Sequence, residues 1–225
     1  KMRYTPFQIR CQTAEEETSK YHEILKELGS IGSIPTVVCE LHSMIAPVVA
    51  GIKETAGNNT KVAYIMTDGG ALPASFSRLS WALQKEELID SVITCGHAFG
   101  GDIECINIYS ALCVAKKCVN ADVIVVSMGP GQAGTSTRYG FSGIEQGITI
   151  NAIYSLGGIP ICAPRISFFD PRDRHFGISH HTITILSTVV LGDCIVVLPE
   201  MGKDRLEFIK EQLSLNSLDR RYIFI

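Results

Sequence analysis

The segment ADVIVVSMGPGQAGTSTRYG, residues 121–140, decides the fold of this chain. It is an apolar run that ends in a burst of glycines and reactive polar side chains. Four other segments have the same order: TVVCELHS (36–43), KVAYIMTDGGALPAS (61–75), SVITCGHAFGGDIE (91–104) and IPICAPRISFFDPRDRHFGISHH (159–181). Stretches long enough for helices separate these runs, and strands that alternate with helices build a parallel sheet. The sequence therefore predicts a three-layer, doubly wound α/β fold that is Rossmann-like, with a mainly parallel sheet of about six or seven strands and helices on both faces.

The positions of the secondary-structure elements follow from the same runs. The predicted strands of the main sheet cover 36–41, 61–67, 91–95, 122–128, 159–163 and 194–198. The predicted helices cover 43–56, 75–88, 103–119, 143–156, 179–191 and 203–213. Asp102 and Ser179 are predicted to cap the helices that begin beside them. The C-terminal RRYIFI is predicted to add an edge strand.

Length and composition indicate a single α/β domain over residues 1–225. Residues 1–34 are predicted to form an N-terminal strand, over 3–12, and a helix, over about 15–29, that lead into the main sheet. The chain begins Lys1-Met2. We therefore expect a fragment of a longer chain that lacks an N-terminal segment.

The charge and the hydropathy of the chain indicate whether a nucleic acid or a membrane is an expected partner. Hydrophobic residues make up 46% of the chain and charged residues 19%, which is too apolar for a disordered protein. The net charge is −3 and no long basic run occurs, so no nucleic-acid partner is expected. The most apolar stretch, 182–198, is broken by Gly192-Asp193, whereas a membrane span needs about 20 uninterrupted apolar residues. No membrane partner is therefore expected.

The cysteines indicate the cellular compartment. None of the eight forms a C-x-x-C pair, and four lie in or beside apolar runs, where a free thiol behaves as a small hydrophobe. This pattern is typical of a reducing compartment and not of a disulfide framework. The sequence therefore predicts a soluble, cytoplasmic protein.

The glycine-rich segment after residue 128 is a candidate anion site. Its spacing is similar to that of a phosphate-binding loop, but Thr135 stands where the lysine of that loop belongs. Backbone N–H groups beside glycines approach anions closely, and hydroxyls and an arginine add donors. The predicted ligand-binding residues here are Gly129, Gly131, Gly134, Thr135, Ser136 and Arg138. The alternative interpretation is a long loop that packing alone shapes.

Two further clusters carry histidines. His97 follows a strand beside glycines, and His180 and His181 lie in the predicted first turn of a helix, where the helix dipole favours a neutral imidazole. With Asp68 after another strand, these histidines are the predicted catalytic residues. Asp68, His97 and Asp102 are the predicted metal ligands, and a divalent metal is the candidate cofactor. Structural roles stay open for both carboxylates, because Asp-Gly is a common turn and Asp102 is a predicted cap.

Cations accompany the second histidine cluster. Arg165, Arg172 and Arg174 are close together in sequence and have acidic neighbours, which indicates a small anion pocket. Arg165 and His175 complete the predicted ligand-binding set. A small anionic molecule is the predicted partner. Glu40 and His42 are further candidates, although Glu40 has the equal alternative of pairing with an arginine.

The motifs together resemble a known family. ELHSM, MTDG-x-ALP, GHAFGGD-x-E, SMGPG-x-x-GT-x-TR-x-GFSG-x-EQG and D-x-R-x-RH-x-G-x-SHHT are similar to the bacterial family called domain of unknown function 3866. The similarity extends from about residue 3 to at least residue 198. The resemblance implies an additional N-terminal segment and no established activity.

Three functional hypotheses remain after these observations. The first is a hydrolase or transferase that acts on a small anionic or phosphorylated substrate at the carboxyl ends of the strands. The second is a non-catalytic module that binds a nucleotide or metabolite. The third is an assembly role in which the loops form a homo-oligomer interface. The first predicts that Asp68, His97, Asp102, Arg138, Arg165 and His180 line one cleft at that edge of the sheet.

Overall fold

The computed structural model describes residues 8–27, 29–219 and 221–225. The main sheet contains β1 (Pro35–Cys39), β2 (Val62–Thr67), β3 (Ser91–Cys95), β4 (Ile103–Cys105), β5 (Val123–Met128), β6 (Ile159–Ala163), β9 (Ile195–Val196) and β10 (Ile223–Phe224). A small antiparallel pair is formed by β7 (Ile166–Ser167) and β8 (Gly177–Ile178). The α-helices are α1 (His22–Lys26), α2 (Ile45–Ala56), α3 (Arg78–Lys85), α4 (Ile108–Lys117), α5 (Glu145–Ser155), α6 (His180–Thr184) and α7 (Lys203–Leu215). Short 3₁₀ turns cover 42–44, 74–76, 142–144 and 173–175, and α6 continues as a π-helix over Ile185–Val189.

The main sheet has eight strands in the order β10-β9-β6-β1-β5-β2-β3-β4, and its neighbouring strands run parallel. From β1 the chain moves towards β2 on one side, and from β6 it moves towards β9 on the other. The adjacent strands β1 and β6 therefore form a topological switch point, where their carboxyl ends open a crevice. This is the predicted three-layer, Rossmann-like α/β fold.

Two apolar layers cover the faces of the sheet. One layer packs α4, α5 and the π-helix against inward side chains such as Ile65, Ile93 and Val126. The other packs α2 and α3 against Tyr64, Met66 and other side chains of the opposite face. All six residues of β2 are buried, as expected for a strand covered on both sides. The layers hold the carboxyl ends of the strands in fixed positions.

Two further features concern the state of the cysteines and the lengths of the helices. All eight cysteines are free thiols, and six of them are buried in the two layers. Within the part of the chain that the structure describes, no helix is long and apolar enough to cross a bilayer.

The predicted helix over 103–119 is wrong in its first turn. Residues 103–105 form β4, and the helix begins only at Ile108, after Asn107 has capped it with a capping box. Between β3 and β4, residues 96–102 return the chain to the amino end of the sheet. Asp102 therefore caps no helix. Its Oδ2 accepts hydrogen bonds from the backbone N–H of Val92 (2.8 Å) and from Gln84 Nε2 (2.7 Å).

The N-terminal prediction is corrected in part. Residues 3–7 of the predicted strand lie outside the described residues, and no strand occurs over 8–12. The predicted helix is reduced to α1, and turns precede it. Side chains compete with helical hydrogen bonds here, because Glu16 Oε1 accepts from the N–H of Thr13 (2.9 Å). Ala14 N–H also donates to Glu104 O (2.8 Å), which ties this segment to β4.

Replacement of glycine by alanine should have opposite effects on stability at two positions in helix interiors. A Cβ at Gly147 in α5 would lie 2.7 Å from Val189 Cγ1, so Gly147→Ala forces α5 and the π-helix apart. We expect it to lower the free energy of unfolding by about 1–3 kcal/mol. Gly51 in α2 has open space, so Gly51→Ala should raise stability by about 0.5–1 kcal/mol. Urea denaturation of both variants measures the pair, and a stabilised Gly147→Ala protein would contradict the packing described.

Candidate functional site

Three histidines converge beyond the carboxyl ends of β1 and β6. His175 lies in a 3₁₀ turn, and His180 and His181 occupy the first turn of α6, which Ser179 caps as predicted. Each ring offers a nitrogen that lies within 4.8 Å of those of the other two. Among the described residues this is the one group of three or more His, Cys, Asp or Glu side chains with the spacing of metal ligands.

Glu40, directly after β1, holds His181 in place. Its carboxylate is 1% exposed, and Oε1 accepts a hydrogen bond from His181 Nδ1 (3.0 Å). Oε2 accepts from Thr182 Oγ1 (3.0 Å). The His181 ring also stacks on Phe141, with parallel planes and centroids 3.9 Å apart. A buried carboxylate that accepts from Nδ1 fixes the proton there and leaves the Nε2 lone pair of His181 free.

The other two rings each present a nitrogen as well. His175 Nδ1 is 2.8 Å from Ser179 Oγ, and with the proton on Nδ1 its Nε2 is left as an acceptor. His180 Nε2 is buried and has no hydrogen-bond partner. A buried polar atom without a partner is costly, and a bound ion is one way to satisfy it. The cluster thus offers one nitrogen lone pair from each of three rings.

The surroundings of the rings favour neutral imidazoles. Burial, together with the positive charges of Arg165 and Arg172, lowers the pKa of His175 to about 4. Burial and the neighbouring His181 lower the pKa of His180 as well. Because a protonated imidazole cannot coordinate a cation, these shifts keep both rings available to a metal at neutral pH.

Arginines form the wall of the cavity beside the rings. The cavity has a volume of about 310 Å³ and is lined by Gln132, Ala133, Gly134, Ser136, Arg165, Arg172, Arg174, His175, His180 and His181. Asp170 accepts two hydrogen bonds from Arg172, from Nε and from NH2, each 2.8 Å long. Arg174 forms no ion pair with another described residue. The positive charges of the arginines that line the cavity therefore exceed the negative charges of the carboxylates that pair with them.

The glycine-rich loop folds as a hairpin that forms one wall of the cavity. Residues 133–142 fold back as a small hairpin in which Thr135 N–H donates to Gly140 O (2.8 Å) and Ser142 N–H to Ala133 O (2.9 Å). Gly134 and Ser136 line the cavity. Thr135 Oγ1 instead bonds to Gly140 O (2.9 Å). Arg138 lies outside the lining and donates to Thr188 Oγ1 (3.2 Å).

The predicted metal set of Asp68, His97 and Asp102 is not brought together. Asp68 and His97 follow the carboxyl ends of β2 and β3, whereas Asp102 precedes β4 at the amino end of the sheet. The His97 side chain is exposed, and its backbone N–H, 3.3 Å from Asp68 Oδ2, is the group that meets the carboxylate. Of the six residues predicted to line a single cleft, Arg165 and His180 line the cavity. The reversal of the chain at Gly100-Gly101 removes Asp102 from that edge of the sheet.

Several site residues were not predicted as such. Gln132 Nε2 donates to Glu40 Oε1 (3.2 Å) from the glycine-rich loop, and Thr182 links Glu40 to the backbone of Arg165. Glu40 itself pairs with both a histidine and an arginine, Arg165 NH1 being 3.9 Å away. In the sequence, the feature that indicates a role for Glu40 in the site is its position directly after the first strand. His175 was predicted to bind a ligand, and it lies in the group of three histidines that has the spacing of metal ligands.

Comparison with known proteins agrees with the motifs in the sequence. The family model described as protein of unknown function DUF3866 matches residues 1–225, the whole chain. No curated protein matches the chain, and no solved structure matches it. The motifs that carry the resemblance, from ELHSM to SHHT, lie within the matched range. This chain is a member of the DUF3866 family.

Proposed function

We propose that this protein is a metal-assisted hydrolase of a small anionic ester, with a phosphorylated substrate as the best fit. The observation that carries the proposal is the meeting of three imidazoles and three arginines in one cavity at the switch point of the sheet. Metal ligands alone occur in structural sites, and arginines alone occur in binding sites. Their combination beside open space supports metal-assisted chemistry on an anion.

The histidine cluster suits zinc. Three histidines with an open fourth position are a known ligand set of catalytic zinc. Glu40 bonded to His181 Nδ1 supplies the carboxylate partner that orients a zinc-binding imidazole. Zinc bound there would lower the pKa of a water molecule and polarise an ester oxygen.

The arginines suit the anion. Guanidinium groups bind phosphate or carboxylate oxygens in pairs, and the planar fork fixes the orientation of the substrate. Arg165 is partly buried and held by Asp170 (3.5 Å), so its position is set before a ligand arrives. Arg174, without a carboxylate partner among the described residues, has its full charge available to a ligand. The arginines would also offset charge that develops on the leaving group.

One observation supports the alternative of a non-catalytic binding module. The side chains that line the cavity include no carboxylate, so no general acid or base of that type touches the space beside the histidines. An anion could then bind between the rings and the arginines without reacting. Metal binding distinguishes the two proposals, since a hydrolase of this design needs the ion and a binding module does not.

Zinc binding tests the histidine cluster. His180→Ala removes the buried nitrogen that has no other partner, so zinc affinity in isothermal titration calorimetry should fall by more than about 100-fold. Glu40→Gln, which replaces the carboxylate that orients His181 by an amide of similar size, should cost about 10–100-fold.

His97→Ala is the matched comparison, because His97 is an exposed histidine outside the cluster. Its zinc affinity should equal that of the wild type. If His97→Ala loses zinc and His180→Ala keeps it, the metal site belongs to the Asp68 edge and the proposal is wrong.

Phosphate binding tests the arginine wall. Arg174→Ala should weaken the binding of inorganic phosphate by about 1.5–3 kcal/mol, the usual contribution of hydrogen bonds to a charged group. Arg138→Ala is the matched control, since this arginine bonds to Thr188 outside the cavity. A loss of phosphate binding confined to Arg138→Ala would return the anion site to the glycine-rich loop.

A further inference from the structure

A second cavity adjoins the arginine-lined cavity at Gln132, the residue that lines both of them. We call it the apolar cavity. It has a volume of about 300 Å³, within the range of small-molecule sites. Its lining residues are Leu41, His42, Ser43, Leu79, Met128, Gly129, Pro130, Gly131 and Gln132. None of these residues is an acid, a lysine or an arginine, so the apolar cavity differs sharply in charge from its neighbour.

Two segments of the chain connect the cavities. After β5, residues 129–132 line the apolar cavity, and residues 132–134 line the arginine-lined cavity. Gln132 is held at the boundary because its Nε2 donates to Glu40 Oε1 (3.2 Å). At the end of β1, Glu40 orients His181, and the next residue, Leu41, lines the apolar cavity. A ligand that extends past Gln132 would therefore meet cations and imidazoles on one side and an uncharged surface on the other.

The ring of His42 adds no charge and no free nitrogen to the apolar cavity. Its Nδ1 is 3.2 Å from Met128 O, so the proton lies on Nδ1 and is donated to this carbonyl. Its Nε2, 2.7 Å from Ser77 Oγ, then accepts from the serine hydroxyl. Burial lowers the pKa of His42 and keeps the ring neutral. His42 therefore acts as an aromatic wall of the cavity.

We propose that the substrate of the arginine and histidine site carries an uncharged aromatic group, which enters the apolar cavity while the anionic group binds to the arginines. This inference rests on the proposed function for the anion. It adds the chemical class of the organic group, so that the expected substrate is an amphipathic anion and not inorganic phosphate or a sugar phosphate.

The chemistry of the apolar cavity favours a ring. A charged or strongly polar group would lose its hydration there, because the lining offers it no ionic partner. An aromatic group would instead bury apolar surface against Leu41, Leu79 and Pro130. Met128 contributes a thioether side chain, which makes favourable contacts with aromatic rings. The shared lining at Gln132 assigns the cavity to the same ligand as the anion site.

Phosphonates test the proposal by isothermal titration calorimetry, since they present the anion without a bond that a hydrolase cleaves. The protein is titrated with methylphosphonate and with phosphonates that carry a phenyl, benzyl or 2-phenylethyl group, which vary the distance from anion to ring. At least one aryl phosphonate should bind about 10-fold or more tightly than methylphosphonate. Equal affinities across the series would overturn the aromatic site and leave the anion site standing. If no phosphonate binds, the anion site and the aromatic site both fail.

Variants locate the ring. Leu79→Ala, which removes part of the apolar wall, and Leu79→Trp, which fills the cavity, should each weaken the best aryl phosphonate by about 10-fold and methylphosphonate much less. Leu88→Ala is the matched control, because this half-buried leucine packs against the same apolar layer and lines neither cavity. Arg174→Ala should weaken both phosphonates by the same factor. Aryl binding that Leu79→Trp or Arg174→Ala leaves unchanged would place the ring elsewhere and overturn the proposal.

Discussion

The buried carboxylate of Glu40 is the constraint on which the site depends. An ionised carboxylate at the switch point of the sheet is costly unless several donors and a cation compensate it. The compensating groups come from separate parts of the chain: Gln132 from the loop after β5, Arg165 from the end of β6, and His181 and Thr182 from α6. Satisfying one carboxylate therefore positions three loops at once. The histidine cluster and the arginine wall follow from that arrangement. His180, His175 and Arg165 lie on the segments whose side chains hydrogen-bond to Glu40 or form an ion pair with it.

The long apolar runs made the core of the fold predictable. β3 and β6 begin and end at the predicted residues, since a strand buried on both faces needs a continuous run of β-branched and aliphatic side chains. The short strands were not predictable in the same way. β4 has three residues, too few for the local composition to separate it from the helix that follows. What makes Ile103–Cys105 a strand is its pairing with β3, a tertiary interaction that local composition does not encode. Trp81 shows the same limit: its place in the apolar pattern of an amphipathic helix predicts a core position, and its side chain is 64% exposed.

The candidate site was predictable where its residues are close in sequence. Arg165, Arg172 and Arg174, with the histidines at 175, 180 and 181, lie within 17 positions and line one cavity. Residues further apart were assigned to a common edge only because each follows an apolar run. That rule holds for Asp68 and His97 but fails for Asp102, since the Gly100-Gly101 turn sends the chain back along β3. It also failed to predict that Arg138 would leave the cavity, because the hairpin after Gly134 carries this side chain towards the π-helix.

Glu145 lies near Glu40 because Gly143 has no side chain. This residue lies in the 3₁₀ turn before α5, and a Cβ there would lie 2.9 Å from Glu40 Cγ and would also clash with Gln132 Nε2. The turn can therefore approach Glu40 closely, which brings Glu145, two residues later, to a small cavity that Glu40 also lines. On the β6 side of this contact the charges are mainly positive and the imidazoles are neutral. On the β2 side, burial and the neighbouring Asp68 raise the pKa of Glu145 to about 7. The opposite electrostatic surroundings at one edge of the sheet therefore lower the pKa of His175 and raise the pKa of Glu145.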